Sequence, residues 1–174
     1  MPYSKTFSYY RVGMTGEPKD TSMAFERRLA PNAGRPFDRA ISDAENCLDV
    51  SVVFTSPPAT VSALKRAGVL ASKLSARVTL VVAQVVPYPL PLESPPVLLD
   101  FSEKRFAEIA QASPVQTIVR LYLCRDLLQT LKTVLRPRSL VVIGGRKHWW
   151  PTRERRLART LRREGHEVIL TETE

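Results

Sequence analysis

Cysteine, histidine and glycine are scarce in this chain: 174 residues hold two, two and seven of them. Each scarcity removes a class of protein. Two thiols, Cys47 and Cys124, cannot build a disulfide scaffold or a cysteine-based zinc site, and they suit a reducing compartment. The histidines, His148 and His166, have no acidic partner at a defined spacing. No His-Glu-x-x-His pair, Walker loop or Gly-x-Ser-x-Gly elbow occurs, so the expectation is a chain without a catalytic or metal site. Seven glycines beside fourteen prolines exclude a collagen-like repeat. The longest apolar stretch, around Val78 to Val86, is far shorter than a membrane span, and Met1-Pro2-Tyr3-Ser4-Lys5-Thr6-Phe7 lacks the apolar core of a signal peptide. A cytoplasmic location is expected.

The chain carries 44% hydrophobic and 25% charged residues, the balance of an ordinary globular protein. Its net charge of +9 is unevenly placed: residues 1–47 and 48–112 each carry +1, and residues 113–174 carry +7. Most of the excess lies between Arg146 and Arg163, where Arg146, Lys147, Arg153, Arg155, Arg156, Arg159, Arg162 and Arg163 face only Glu154. An acidic partner belongs there, if anywhere.

Residues 1–47 show neither helical nor strand periodicity and are expected to form an irregular, poorly ordered arm ahead of a domain over 48–174. From Asp49 the pattern sharpens. Val50 to Phe54 reads as a buried strand. Ser56 is placed to cap the next helix with Pro57 at its first position, and Val61, Leu64, Gly68, Ala71 and Leu74 share one face up to a stop near Ser75. Arg77 to Val86 is apolar on both faces, as in the middle of a covered parallel sheet. The connector Pro87-Tyr88-Pro89-Leu90-Pro91 follows. An amphipathic helix, with Leu98, Phe101, Arg105, Ile109 and Ala112 set against Leu99, Phe106 and Ala110, runs to about Ala112, ahead of Pro114. A third strand spans Val115 to Cys124, and a short helix runs from Asp126 to about Leu135. Ser139 to Ile143 is a fourth strand that Gly144-Gly145 should end. Thr152 to Arg163 is a helix closed by Gly165, and His166 to Thr171 is a fifth strand.

Five such strands alternating with helices define an α/β three-layer sandwich with a parallel sheet. Ligands of such sheets bind at the carboxyl ends of the strands, where the strand order reverses, so the loops after Phe54 and Ile143 are the candidate site. Residues 49–171 resemble a universal stress protein domain, of the adenine-nucleotide alpha-hydrolase-like superfamily. The likeness rests on element order, on the Val52-Val53-Phe54-Thr55-Ser56 strand opening a long helix, and on Ser139-Leu140-Val141-Val142-Ile143-Gly144-Gly145, which is similar to the family's Asp-Leu-Ile-Val-Met-Gly strand and glycine turn. The resemblance implies a Rossmann-like sheet of order 3-2-1-4-5, a stress-response role, and a homodimer often formed through the last strand.

Nucleotide-binding members of that family carry an acidic residue after the first strand and Gly-x-x-Gly-x9-Gly-Ser/Thr after the fourth. Here Thr55 or Ser56 holds the acidic position, Lys147 is the third residue after Gly144, and no glycine follows Gly145 until Gly165. The signature is degenerate. The Ser-Gly-Gly-x-Asp-Ser loop of related pyrophosphatase-type enzymes is also missing. Pro57 and Pro58 further remove two N–H donors from a helix terminus that would otherwise hold phosphate.

Three readings follow. The first is a non-catalytic regulatory or interaction module with a vacated nucleotide site. The second is an ATP- or AMP-binding protein, with slow hydrolysis left open. In it Thr55, Ser56, Gly144 and Gly145 combine with Arg146, Lys147, His148, Trp149, Trp150 and Arg155, because indoles stack on bases and guanidiniums fork onto phosphates. The third is an adaptor for an acidic protein or a nucleic acid. At 100° per residue from Arg153, Arg155, Arg156, Arg159, Arg162 and Arg163 fall between about 180° and 300°, and Leu157, Ala158 and Leu161 between about 40° and 140°. Such a helix buries its leucines and exposes an arginine stripe.

Overall fold

The computed structural model describes residues 10–11, 25–29, 48–92, 99–146 and 152–173. Its elements run β1 (Tyr10–Arg11), β2 (Phe25–Leu29), β3 (Asp49–Val53), α1 (Pro57–Leu74), β4 (Arg77–Val85), α2 (Leu99–Ala110), β5 (Thr117–Cys124), α3 (Leu127–Val134), β6 (Leu140–Arg146), α4 (Arg153–Arg163) and β7 (Glu167–Thr173). The sheet order is β1-β2-β5-β4-β3-β6-β7. From β5 to β7 every pairing is parallel, so the five strands of the domain have the expected 3-2-1-4-5 order. The chain reverses direction across the sheet between β3 and β6.

Residues 1–47 contribute two strands that no periodicity announced. β2 pairs antiparallel with β5, from Phe25 opposite Leu123 to Leu29 opposite Val119, and β1 pairs with β2. They extend the sheet beyond its parallel part.

Alternation along the parallel strands divides the core. Val50, Val52, Leu80, Val82, Leu121 and Val142 face α1 and α2, whose Ala63, Leu64, Ala67 and Phe106 pack on them. Val53, Val81, Tyr122, Val141 and Ile143 face the other way, against Leu131 of α3 and Leu157, Ala158 and Leu161 of α4. Both faces are covered, which is why these strands read as continuous apolar runs. Among the described residues, no helix is long and apolar enough to cross a membrane.

The helix ends follow their local chemistry. α4 starts at Thr152, whose Oγ1 accepts from the Arg155 N–H, and stops in a Schellman motif. There Gly165, at φ 89°, donates to the Arg162 carbonyl and His166 to that of Leu161. α1 ends at Ser75 in a left-handed turn. Two expectations are corrected. Ser56 occupies the N-cap position of α1 without a side-chain cap bond; the prolines at 57 and 58 leave only the third N–H of that turn as a target. In α2 the Phe106 and Ala110 side of the pattern is buried, together with Ser102, and Phe101 is 61% exposed.

The larger correction concerns Gly144-Gly145. They do not end the fourth strand: β6 continues to Arg146, with Gly144 opposite Thr171 and Gly145 opposite Glu172 of β7. Neither has a positive φ. What Gly144 supplies is space, since a Cβ there would fall on the carbonyl oxygen of Ala59 in the first turn of α1. A Cβ on Gly145 would meet Glu154 Cβ at 3.4 Å, an ordinary contact. Gly144→Ala is therefore expected to destabilise the domain by about 3 kcal/mol or more through overpacking against backbone, and Gly145→Ala by under about 1 kcal/mol. Urea unfolding monitored by circular dichroism checks the contrast.

Candidate functional site

The crevice that this strand order creates lies at the carboxyl ends of β3 and β6. On the β3 side the chain leaves the sheet through Phe54, Thr55 and Ser56 and enters α1 at once. The Phe54 N–H donates to the Val81 carbonyl at 2.9 Å, and its ring stands edge-on to Phe106 of α2, with centroids 5.0 Å apart. The Thr55 N–H donates to Thr60 Oγ1 at 3.2 Å, and its hydroxyl crosses the crevice to donate to the Gly144 carbonyl at 2.8 Å. Thr60 is fully buried. Thr55 and Gly144, two of the sequence-derived candidates, are thus brought together and joined directly, with Ala59 packed beside them.

A helix N-terminus attracts anions through unpaired N–H groups of its first turn. In α1 the first two positions are proline. The Thr60 N–H already donates to the Ser56 carbonyl. Phosphate would find few donors here.

The remaining candidates separate. Arg146 ends β6 and is exposed. Lys147, His148, Trp149 and Trp150 lie outside the described residues. Arg155 pairs with β7: its Nη2 lies 3.2 Å from Glu172 Oε1, both side chains being close to half exposed. A pair so open to water contributes at most about 1 kcal/mol. Arg155, Arg146, Gly145, Glu154, Thr171 and Glu172 line a shallow depression over β6 and β7. Its two carboxylates offset its two guanidiniums, so it offers an anion no net attraction.

The C-terminal helix has the two faces its sequence predicted. Leu157, Ala158 and Leu161 are buried, and Arg156, Arg159, Arg162 and Arg163 are exposed. Two of the stripe's five guanidiniums serve the domain itself, Arg155 through Glu172 and Arg162 by donating to the Val168 carbonyl at 2.7 Å. Arg156, Arg159 and Arg163 form no ion pair among the described residues. Like charges one turn apart, as at 155, 159 and 163, cost an isolated helix about 0.2–0.5 kcal/mol per pair.

At the carboxyl end of β5 the neighbours Arg125 and Asp126, which side by side resemble a site pair, take separate structural tasks. Asp126 Oδ1 caps α3 by accepting from the Gln129 N–H at 3.0 Å. Arg125 donates to the Val86 and Leu90 carbonyls at 2.6 Å each and stacks 4.1 Å from the centroid of Tyr88, clamping the connector after β4. Sequence reasoning missed this clamp; the many prolines of a connector that lacks partners of its own were its signal. Burial pushes the thiol of Cys124 up from its ordinary range, against the lowering effect of the Thr130 hydrogen bond, with the Asp126 charge adding to the rise. Such a thiol is a poor nucleophile at neutral pH. Among the described residues, no group of three or more His, Cys, Asp or Glu side chains could hold a metal ion.

Fold and crevice together define a doubly wound α/β domain of Rossmann-like topology, with a hydrogen bond spanning its switch point. No family model matches the chain, and no curated protein does. Among solved structures, one described as a universal stress protein in complex with cAMP aligns with a TM-score of 0.48 at 16% identity, over 73% of this chain and 98% of that one.

The bond across the crevice can be tested alone. Thr55→Val keeps the shape of the side chain, removes the donor to Gly144 and is expected to lower stability by about 1–2 kcal/mol. Thr55→Ser, which retains the hydroxyl, should lose less than half as much in the same urea titration.

Proposed function

We propose that this chain is a universal-stress-protein-like domain that has given up nucleotide chemistry and works, without catalysis, as a regulatory or interaction module. The observation that carries this reading is the closure of the switch-point crevice: Ala59 backbone lies against Gly144, and the Thr55 hydroxyl is tied to the Gly144 carbonyl. A nucleotide in that crevice would need phosphate donors from the first turn of α1, where prolines stand, and a gap between β3 and β6, where Thr55 reaches across. Arg155, which was to reach a phosphate, is held by Glu172 instead. The reading includes a homodimer, for which β7 is a free edge strand among the described residues.

Thermal unfolding of the full chain with millimolar ATP, AMP or cAMP and magnesium, at low and at physiological salt, tests the proposal. A micromolar site under millimolar ligand would add about 4 kcal/mol to the stability of the folded state, a rise in Tm on the order of ten degrees. The expected result is a change below about one degree at physiological salt. An adenine-specific rise that survives physiological salt, and that Arg146→Ala with Trp149→Ala abolishes, would replace this reading with a nucleotide sensor using the Arg146 to Trp150 loop.

A further inference from the structure

We propose that the outer face of α4, together with the neighbouring Arg136 and Arg138, is a docking surface for the phosphodiester backbone of a nucleic acid. The inference is independent of whether the switch-point crevice is closed. It begins with a charge inventory of the layer formed by α3 and α4. Of the acidic groups of this layer, Asp126 caps α3, Glu164 lies 2.6 Å from Lys132 and Glu172 holds Arg155, while Glu154 at the start of α4 and Glu167 at the start of β7 form no ion pair among the described residues. Arg156, Arg159 and Arg163 are left exposed along one face of α4, with no ion pair among the described residues.

The Lys132–Glu164 bridge ties the end of α3 to the end of α4, and the Glu167 N–H donates to the Ser139 carbonyl beneath it. The loop from Arg136 to Ser139 therefore lies at the same end of the layer as Arg163. Ser139 Oγ is fixed there, 3.0 Å from Nδ1 of the buried His166. Arg136 and Arg138 are both exposed on this loop, and they too form no ion pair among the described residues. Five guanidiniums without an ion pair among the described residues, Arg136, Arg138, Arg156, Arg159 and Arg163, thus share one outer layer against the two carboxylates of Glu154 and Glu167.

Three kinds of polyanion could meet such a surface, and the side chains between the arginines discriminate among them. A membrane-surface helix needs an apolar face to sink into lipid, but α4 has placed Leu157, Ala158 and Leu161 in the core. An acidic protein needs apolar anchors at the centre of its interface, and Leu128, at 39% exposure, is the one large hydrophobic side chain exposed on α3 or α4. A phosphodiester chain needs neither. Its binding is driven by counterion release at successive phosphates, and each guanidinium can fork onto phosphate oxygens. The unpaired positive charges of α4 are all arginine, the side chain suited to that fork. From Arg156 to Arg163 the stripe rises about 10 Å along the helix, enough for two or three phosphates of a strand.

Fluorescence anisotropy of the full chain with labelled single-stranded RNA, single-stranded DNA and duplex DNA of about 20 nucleotides tests this, with salt varied around the physiological range. The expected result is binding whose affinity falls with salt at a log–log slope of about −2 to −4, roughly a 15- to 250-fold loss for a four-fold rise in salt. R156E/R159E/R163E should abolish it. K65E/R66E/K73E, which makes the same charge change at three exposed positions of α1, should leave most of it. Thermal unfolding of both variants establishes that they fold; if the α4 variant does not, R156Q/R159Q/R163Q should instead reduce the slope for single strands by about 2. No binding at low salt, equal loss in the α1 and α4 variants, or equal affinity for polyglutamate or anionic vesicles would each overturn the proposal. A preference among the three oligonucleotides would keep it and name the nucleic acid.

Discussion

The approach of α1 to β6 at Gly144 is the contact on which the rest of the domain depends. A helix that follows the first parallel strand must begin at the sheet's switch point, and here it begins so close that Ala59 backbone occupies the place of a side chain on β6. The seating has two consequences. It aligns the small face of α1, with Ala63, Ala67 and Ala71, over β3 and β6, which lets the helix lie low on the sheet and exclude water from Val50, Val52 and Val142. It also brings Thr55 within reach of the Gly144 carbonyl, so that a gap many α/β domains keep open for a ligand is spanned by protein. One position thus sets both how α1 packs and which groups meet across the crevice.

Where one surface is closed by packing, another is left charged. The last helix satisfies its core side with two leucines and an alanine and its ends with Thr152 and Gly165, and of its outer arginines only Arg155 and Arg162 bond to the domain. Those residues could have been a mixture of signs, which would have added i,i+4 attraction. Instead they are arginines, whose mutual repulsion a bound polyanion would relieve. A fold of this class fixes where such a face lies but not which side chains it presents.

Most of the parallel core was legible from sequence, because uninterrupted β-branched runs such as Val50 to Val53 and Leu140 to Ile143 have few other homes than a covered sheet. Helix limits were legible where proline or glycine marks them, at Pro57, Pro114 and Gly165. The misses share a cause: each rests on an atom distant in the chain. A Gly-Gly pair ordinarily signals a turn, and only the arrival of Ala59 from 85 positions earlier makes Gly144 a strand residue chosen for its missing side chain. Ser56 matches the capping pattern until its targets turn out to be prolines. The partner of Arg155 sits on the next strand, and the guanidinium of Arg125 answers carbonyls 39 and 35 residues away. Phe25–Leu29, with Glu-Arg-Arg at its centre, lacks the alternation of a strand and takes its conformation from the edge of β5.

That borrowed strand changes how the sheet ends. A five-stranded parallel sheet offers two long unsatisfied borders, one along each outer strand, and either can recruit a neighbour's backbone. Here β2 lies along five of the eight residues of one border, from Val119 to Leu123, and β1 beyond it is only two residues long. On the other side β7 offers seven residues. Among the described residues the long free border is therefore that of β7, and a neighbour's backbone adding to the sheet would find its longest run of unpaired groups there.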